Sequence, residues 1–72
     1  PRIFLINNDG GGFADYVEVE DGTTIDQFFA SQMRGSRPSE YLIRVNRDQV
    51  QASYELTNDD RVSITPTKVE GA

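Results

Sequence analysis

The chain has seventy-two residues, with seven basic side chains against twelve acidic ones and a formal net charge of −5, which predicts one small acidic domain with a modest core. Cysteine and histidine are both absent, which excludes disulfide staples, zinc sites built on those ligands, and nucleophilic triads in their histidine or cysteine forms. The acidity speaks against nonspecific nucleic-acid binding, no apolar run nears the roughly 18 residues that span a bilayer, and the opening stretch does not read as a signal peptide, so the expected compartment is the cytoplasm.

Arg2 to Asn7 is rich in branched and aromatic residues and predicts a strand. Asn8 to Gly12 stops it, because asparagine and glycine tolerate positive φ. Tyr16 to Glu20 alternates apolar and acidic positions, as a strand with one wet face should. Asp21-Gly22 ends it, and the two strands should pair as a hairpin. Thr23 or Thr24 then caps a helix with Asp26 in its first turn, where negative charge complements the helix dipole. Ile25, Phe28, Phe29 and Met33 fall at helical spacing and form its buried stripe. The helix should stop near Arg34-Gly35, and Arg37 to Ser39 reads as a loop.

Tyr41 to Val45 predicts the next strand. Asn46 to Asp48 turns into a brief extended piece at Gln49-Val50, Tyr54 to Leu56 forms one tight turn, and Asn58 to Asp60 turns again. Arg61 to Thr65 forms the last strand, with Pro66 limiting further pairing. Residues 69–72 carry no apolar period and should be mobile. The order is β-β-α-β-(β)-β. A single amphipathic helix must cover one face of one sheet, and the compact solution is a mixed sheet of four or five strands wrapped around it. That is an α+β, β-grasp roll over residues 1–68 with a C-terminal tail.

In element order nearly the whole chain, and most sharply its second half, resembles the small sulfur-carrier branch of the ubiquitin-like proteins, the molybdopterin-synthase small subunit and the thiamine-biosynthesis sulfur carrier. Val45-Asn46-Arg47 is similar to that family's valine-asparagine-glycine turn, with arginine in place of glycine. Leu56 followed by Asn58-Asp59-Asp60-Arg61-Val62 is similar to its leucine and aspartate-rich turn into the last strand, and Ile64 and Pro66 match the family's apolar residue and proline in that strand. Gly71-Ala72 stands where the family places a Gly-Gly terminus. The resemblance implies a carrier or modifier rather than an enzyme. An adenylating, ubiquitin-activating-type enzyme would activate the terminal carboxylate with ATP for thiocarboxylate formation or transfer to a protein amine, and the chain itself would hold no cofactor. Sulfur-acceptor enzymes or target proteins would be the further partners. Ala72 departs from the family: it is trimmed to leave Gly71, accepted as it stands, or marks a chain that has lost tail chemistry and kept only a binding module.

If Ile3 and Leu5 face the helix, Phe4 and Ile6 must face the other side of the sheet. An apolar outer face would be a docking patch unless neighbouring strands or loops cover it, with Arg44, Pro66, Lys68 and Val69 as further candidate contacts and Phe13, Tyr16, Tyr41 and Tyr54 as aromatic candidates for partner contact. Arg44 with Arg34 and Arg37 would either form a small basic island or, as is more usual, stand as separate solvated charges. The overall acidity either suits a partner with a basic surface or serves only solubility. Gly10-Gly11-Gly12 lacks the helix that a phosphate cradle requires and reads as a hairpin connector. The carboxylates are scattered, and no acid pair or metal site stands out. Lys68 is the sole lysine, so branched self-conjugation would have only that amine and the Pro1 nitrogen to use.

Overall fold

The computed structural model describes residues 1–67. Strands β1 (Arg2–Asn7) and β2 (Phe13–Glu18) form a hairpin, helix α1 (Ile25–Gln32) follows, and β3 (Tyr41–Val45) and β4 (Arg61–Pro66) complete the sheet. The four strands lie in the order β2-β1-β4-β3. The central pair, β1 and β4, is parallel, and both flanking pairs are antiparallel. The result is a mixed sheet with one helix against it, the β-grasp architecture that the element order predicts.

α1 begins where a capping box closes. The Thr24 hydroxyl accepts from the Gln27 backbone N–H at 3.2 Å, and the Gln27 side chain accepts from the Thr24 N–H at 3.1 Å. These two bonds satisfy donors that an isolated first turn leaves orphaned. Eight residues are too few for a helix to persist alone, so burial of Ile25, Phe28 and Phe29 holds it in place. They pack against Ile3 and Leu5 of β1 and Val62 and Ile64 of β4, with Met33, Val45 and Leu56 filling the edges. α1 ends at its C-cap Met33, and Gly35 supplies φ +80° in the turn just after it, which the Ser36 N–H closes on the Met33 carbonyl at 3.0 Å.

Several local boundaries differ from the sequence pattern. β2 starts at Phe13 rather than Tyr16 and ends at Glu18 rather than Glu20. Pairing decides this: Asn7↔Phe13 and Ile6↔Ala14 carry the ladder up to the glycine turn, while beyond Glu18 only the Val19 N–H reaches back, to the Pro1 carbonyl at 2.8 Å. Pro38–Glu40 forms a short 3-10 turn, where the sequence suggests open loop from Arg37. Gln49-Val50 forms no strand; the chain instead closes a two-residue turn in which Val45 and Asp48 bridge each other. The tight turn expected at Tyr54–Leu56 comes earlier, with Tyr54 N–H on the Gln51 carbonyl at 2.9 Å. Glu55 then bridges Thr24, and Leu56 is buried.

β4 includes Pro66, opposite Tyr41. Proline has no N–H to give, and the next tie is Thr67, whose N–H and hydroxyl both donate to the Glu40 carbonyl at 3.0 Å. Lys68, Val69, Gly71 and Ala72, and with them the expected mobile tail, lie outside the described residues.

Candidate functional site

Side chains alternate between the faces of a strand, so burying Ile3 and Leu5 under α1 sends Phe4 and Ile6 to the opposite, outer face. The register across the sheet then sets their neighbours. Tyr16, Phe4 and Arg61 form one row, and Ala14, Ile6, Ser63 and Arg44 form the next. Arg2 flanks the first row, two residues before Phe4. Leu42 and Thr65 come after the second. Among the described residues, no helix covers this face.

The aromatic rings and the arginines on it are interleaved. Phe4 meets Tyr16 edge to face, with ring centroids 5.0 Å apart and planes at 66°, an arrangement the ring quadrupoles favour. The Arg2 guanidinium lies 4.5 Å from the Tyr16 ring centroid, and that of Arg61 lies 5.9 Å from the Phe4 centroid. Both are within cation–π range. Phe4 and Ile6 are half-buried, while Tyr16 is 55% exposed.

At one end of the face a polar network fixes the loops. Asp60 is buried, at 5% exposure. Its carboxylate accepts from the Asn46 side-chain amide, the Tyr54 hydroxyl and the Thr57 N–H, each at 2.9 Å. Asn46 also accepts the Arg61 N–H at 3.0 Å. Burial alone would push the Asp60 carboxyl upward, but the bonds from Thr57, Asn46 and Tyr54 outweigh it and hold the group below the ordinary aspartate value. The hydrogen bond to Asp60, together with burial, raises the Tyr54 hydroxyl above its ordinary value.

This network supports the turn at Asn46-Arg47, where both residues have positive φ, 53° and 75°. Val45 and Asp48 exchange backbone bonds of 2.8 and 3.0 Å across it, so the turn is of the mirror-image type that hairpins favour. Asparagine tolerates this geometry; arginine does so at a cost. Asn46, Arg47, Asp59 and Arg61 line a depression of about 330 Å³ beside the first aromatic row.

Among the described residues, none of Arg2, Arg44, Arg47 and Arg61 makes an ion pair; the contact of that kind there joins the Pro1 nitrogen to Glu18 at 3.3 Å. The structure therefore brings Phe4, Ile6 and Arg44 onto one surface. Pro66 alternates to the helix side. Arg34 and Arg37 lie on the connection leaving α1, so the basic group forms instead from Arg44 with Arg61 and Arg2. Of the other aromatics, Tyr16 joins the outer face. Tyr41 packs on Phe29, with centroids 5.5 Å apart, and donates to Asp9 at 3.0 Å. Tyr54 serves Asp60. Phe13 is 51% exposed at the rim, opposite Asn7. The sequence does not mark Arg2 and Arg61 as site residues, because Arg2 reaches Tyr16 only through the β1–β2 pairing and Arg61 reaches Phe4 only through the β1–β4 register.

No known protein-family model matches this chain, and no curated protein matches it. Among solved structures it is similar to a ubiquitin-like protein from the hyperthermophilic archaea Caldiarchaeum subterraneum, with a TM-score of 0.72 over 96% of this chain and 99% of that one, at 14% sequence identity. At that identity the likeness establishes the fold, a ubiquitin-like β-grasp.

Proposed function

We propose that this ubiquitin-like protein is a non-catalytic carrier or modifier: it docks on partner proteins through the outer face of the sheet and presents the Gly71-Ala72 segment for activation. The observation that carries the reading is the uncovered face on which Phe4, Ile6 and Tyr16 lie among arginines that pair with no described carboxylate. β4, a central strand of that sheet, is the strand that runs on toward Gly71. In the activation step a carboxylate oxygen attacks the α-phosphorus of ATP and pyrophosphate leaves; sulfide-level sulfur or a protein amine then attacks the acyl carbon, forming a thiocarboxylate or an amide as AMP and a proton leave. Small residues suit a segment that must enter a narrow slot in extended form. The likeness of residues 45–66 to the molybdopterin-synthase and thiamine carriers favours sulfur transfer over conjugation, and the cytoplasm as its setting.

The intact mass of the protein recovered from its native cell tests this. A thiocarboxylate, a chain trimmed to Gly71, or an isopeptide adduct on another protein is the expected result. Only unmodified carboxylate, under sulfur limitation as well as in rich medium, would overturn the carrier reading. It would favour the second reading, a pure interaction module of the same fold, which the uncovered outer face supports without any tail chemistry.

A further inference from the structure

The chain as a whole is acidic, yet its uncovered face is not. Arg2, Arg44 and Arg61 lie on it and Arg47 adjoins it, against Glu18 and Asp59. Twelve carboxylates are available in the sequence, and none of the described ones pairs with these arginines. Arg2 and Arg61 instead lie by the rings of Tyr16 and Phe4, which orders guanidinium groups without consuming their charge. Arg47 holds a backbone geometry that glycine would adopt freely. Local strain of this kind persists where the surroundings over-determine it, and it clusters at binding sites.

We infer that the outer face receives an acidic segment of a partner protein whose apolar side chains settle on Phe4, Ile6 and Leu42 while its carboxylates meet Arg2, Arg44, Arg47 and Arg61. Charge complementarity selects this occupant. A basic partner would leave four guanidinium groups opposed by like charge. A nucleic acid would meet the right charge locally but strong repulsion from the rest of an acidic molecule. The guanidinium fork is suited to carboxylates, which it can bind through two parallel bonds. The inference rests on the reading that this face docks a partner, and it adds the chemistry of what docks.

The test is an amide-resolved NMR titration with three short synthetic peptides. One carries aspartate and glutamate around a Leu-Phe pair. The second replaces every acid with its amide, and the third keeps the acids and replaces the Leu-Phe pair with glycines. The first peptide is expected to shift the amides of Phe4, Ile6, Tyr16, Arg44 and Arg61, with affinity falling as salt rises. Arg2→Gln, Arg44→Gln and Arg61→Gln should each weaken binding about threefold and the triple variant roughly thirtyfold, with the spectra confirming that each remains folded. The second and third peptides should bind measurably more weakly than the first. Equal binding of the amide peptide, shifts confined to other surfaces, or no shift with the first peptide would each overturn the inference. The terminus chemistry is read separately: an activated terminus without peptide binding sinks this inference alone, while peptide binding by a chain that is never activated keeps it and removes the carrier reading.

Discussion

The inner and outer faces of the sheet share β1 but are built to different ends. On the inner side Ile3 and Leu5 meet Val62, Ile64 and two phenylalanines of α1, and exposure falls to 1% or less at all four strand positions. On the outer side Phe4 and Ile6 meet Tyr16, Ser63 and arginines, and both stay half-buried. Apolar content along β1 therefore does not mark which side is core. The distinguishing feature is charge. The inner face carries none in its centre, whereas the outer face holds guanidinium groups beside its rings with no counter-ion among the described residues. The arginines of this face pair with no described carboxylate, although the chain holds twelve acidic side chains.

The comparison breaks most visibly at Phe29, which is 2% exposed. Phe29→Ala should cost about 3–5 kcal/mol, the range for deleting a buried ring, and that is enough to unfold most of the molecules of a domain this small. Loss of near-ultraviolet signal and of dispersed amide resonances would report it. A cooperative transition close to wild type would show that the ring is not core and that α1 is rotated on the sheet. Phe4→Ala, on the same sheet but the other side, should cost only about 1–2 kcal/mol, from partial area and the lost edge-to-face contact with Tyr16. A loss as large as that at Phe29 would mean the two faces are equally structural, and the docking reading of the outer face would fall with it.

Much of the inner face is legible in the sequence. β1 and β3 are runs of branched and aromatic residues ended by asparagine-led turns, and the structure gives them the same bounds. The Ile25, Phe28, Phe29 and Met33 stripe is buried as helical spacing requires. β2 departs from its sequence pattern because Asp15 stands on the inner side of its start, opposite Leu5. That carboxylate breaks the alternation, and the strand extends there only because β1 pairs with it. The outer face is half legible. Phe4 and Ile6 follow from alternation alone, but Arg61 reaches Phe4 through a parallel pairing of strands distant in sequence, which no local pattern encodes. Asp60 is illegible for a related reason. An aspartate in a turn is ordinary, and its burial depends on donors from Asn46 and Tyr54, which only the fold brings to it.

That carboxylate couples the two faces, because it ties the turn beside the outer face to the loop that closes the core. Asp60→Ala should cost about 1–3 kcal/mol, since the Asn46 amide, the Tyr54 hydroxyl and the Thr57 N–H lose their acceptor at a part-buried position. The pH dependence has a definite sign. The folded-state pKa of Asp60 is lowered, so its contribution is present above the unfolded aspartate value of about 3.9 and disappears as pH falls through the folded value. Tyr54 is shifted upward, so its contribution is present below the unfolded tyrosine value of about 10 and is lost as pH rises through the folded value. Denaturant midpoints measured across pH should therefore fall at both ends, and Asp60→Ala should flatten much of both slopes. Unchanged slopes in the variant would show that the network contributes little and that other groups govern the acid and alkaline limits.

The smallest expected effect separates the two faces most cleanly. Arg47 occupies the second central position of its turn at φ +75°. A side chain in the left-handed region costs about 1–2 kcal/mol, and the additional unfolded-state freedom of glycine returns roughly 0.5–1 kcal/mol of that. Arg47→Gly should therefore stabilise the fold by about 0.5–1 kcal/mol, seen as a higher denaturant midpoint at unchanged slope. If the arginine is there for a partner, the same variant should bind the acidic peptide about threefold more weakly. A gain in stability joined to a loss in affinity would locate the use of the strain at the outer face. A loss of stability would mean that the Arg47 side chain supports the turn itself, and the strained geometry would then belong to the fold rather than to binding.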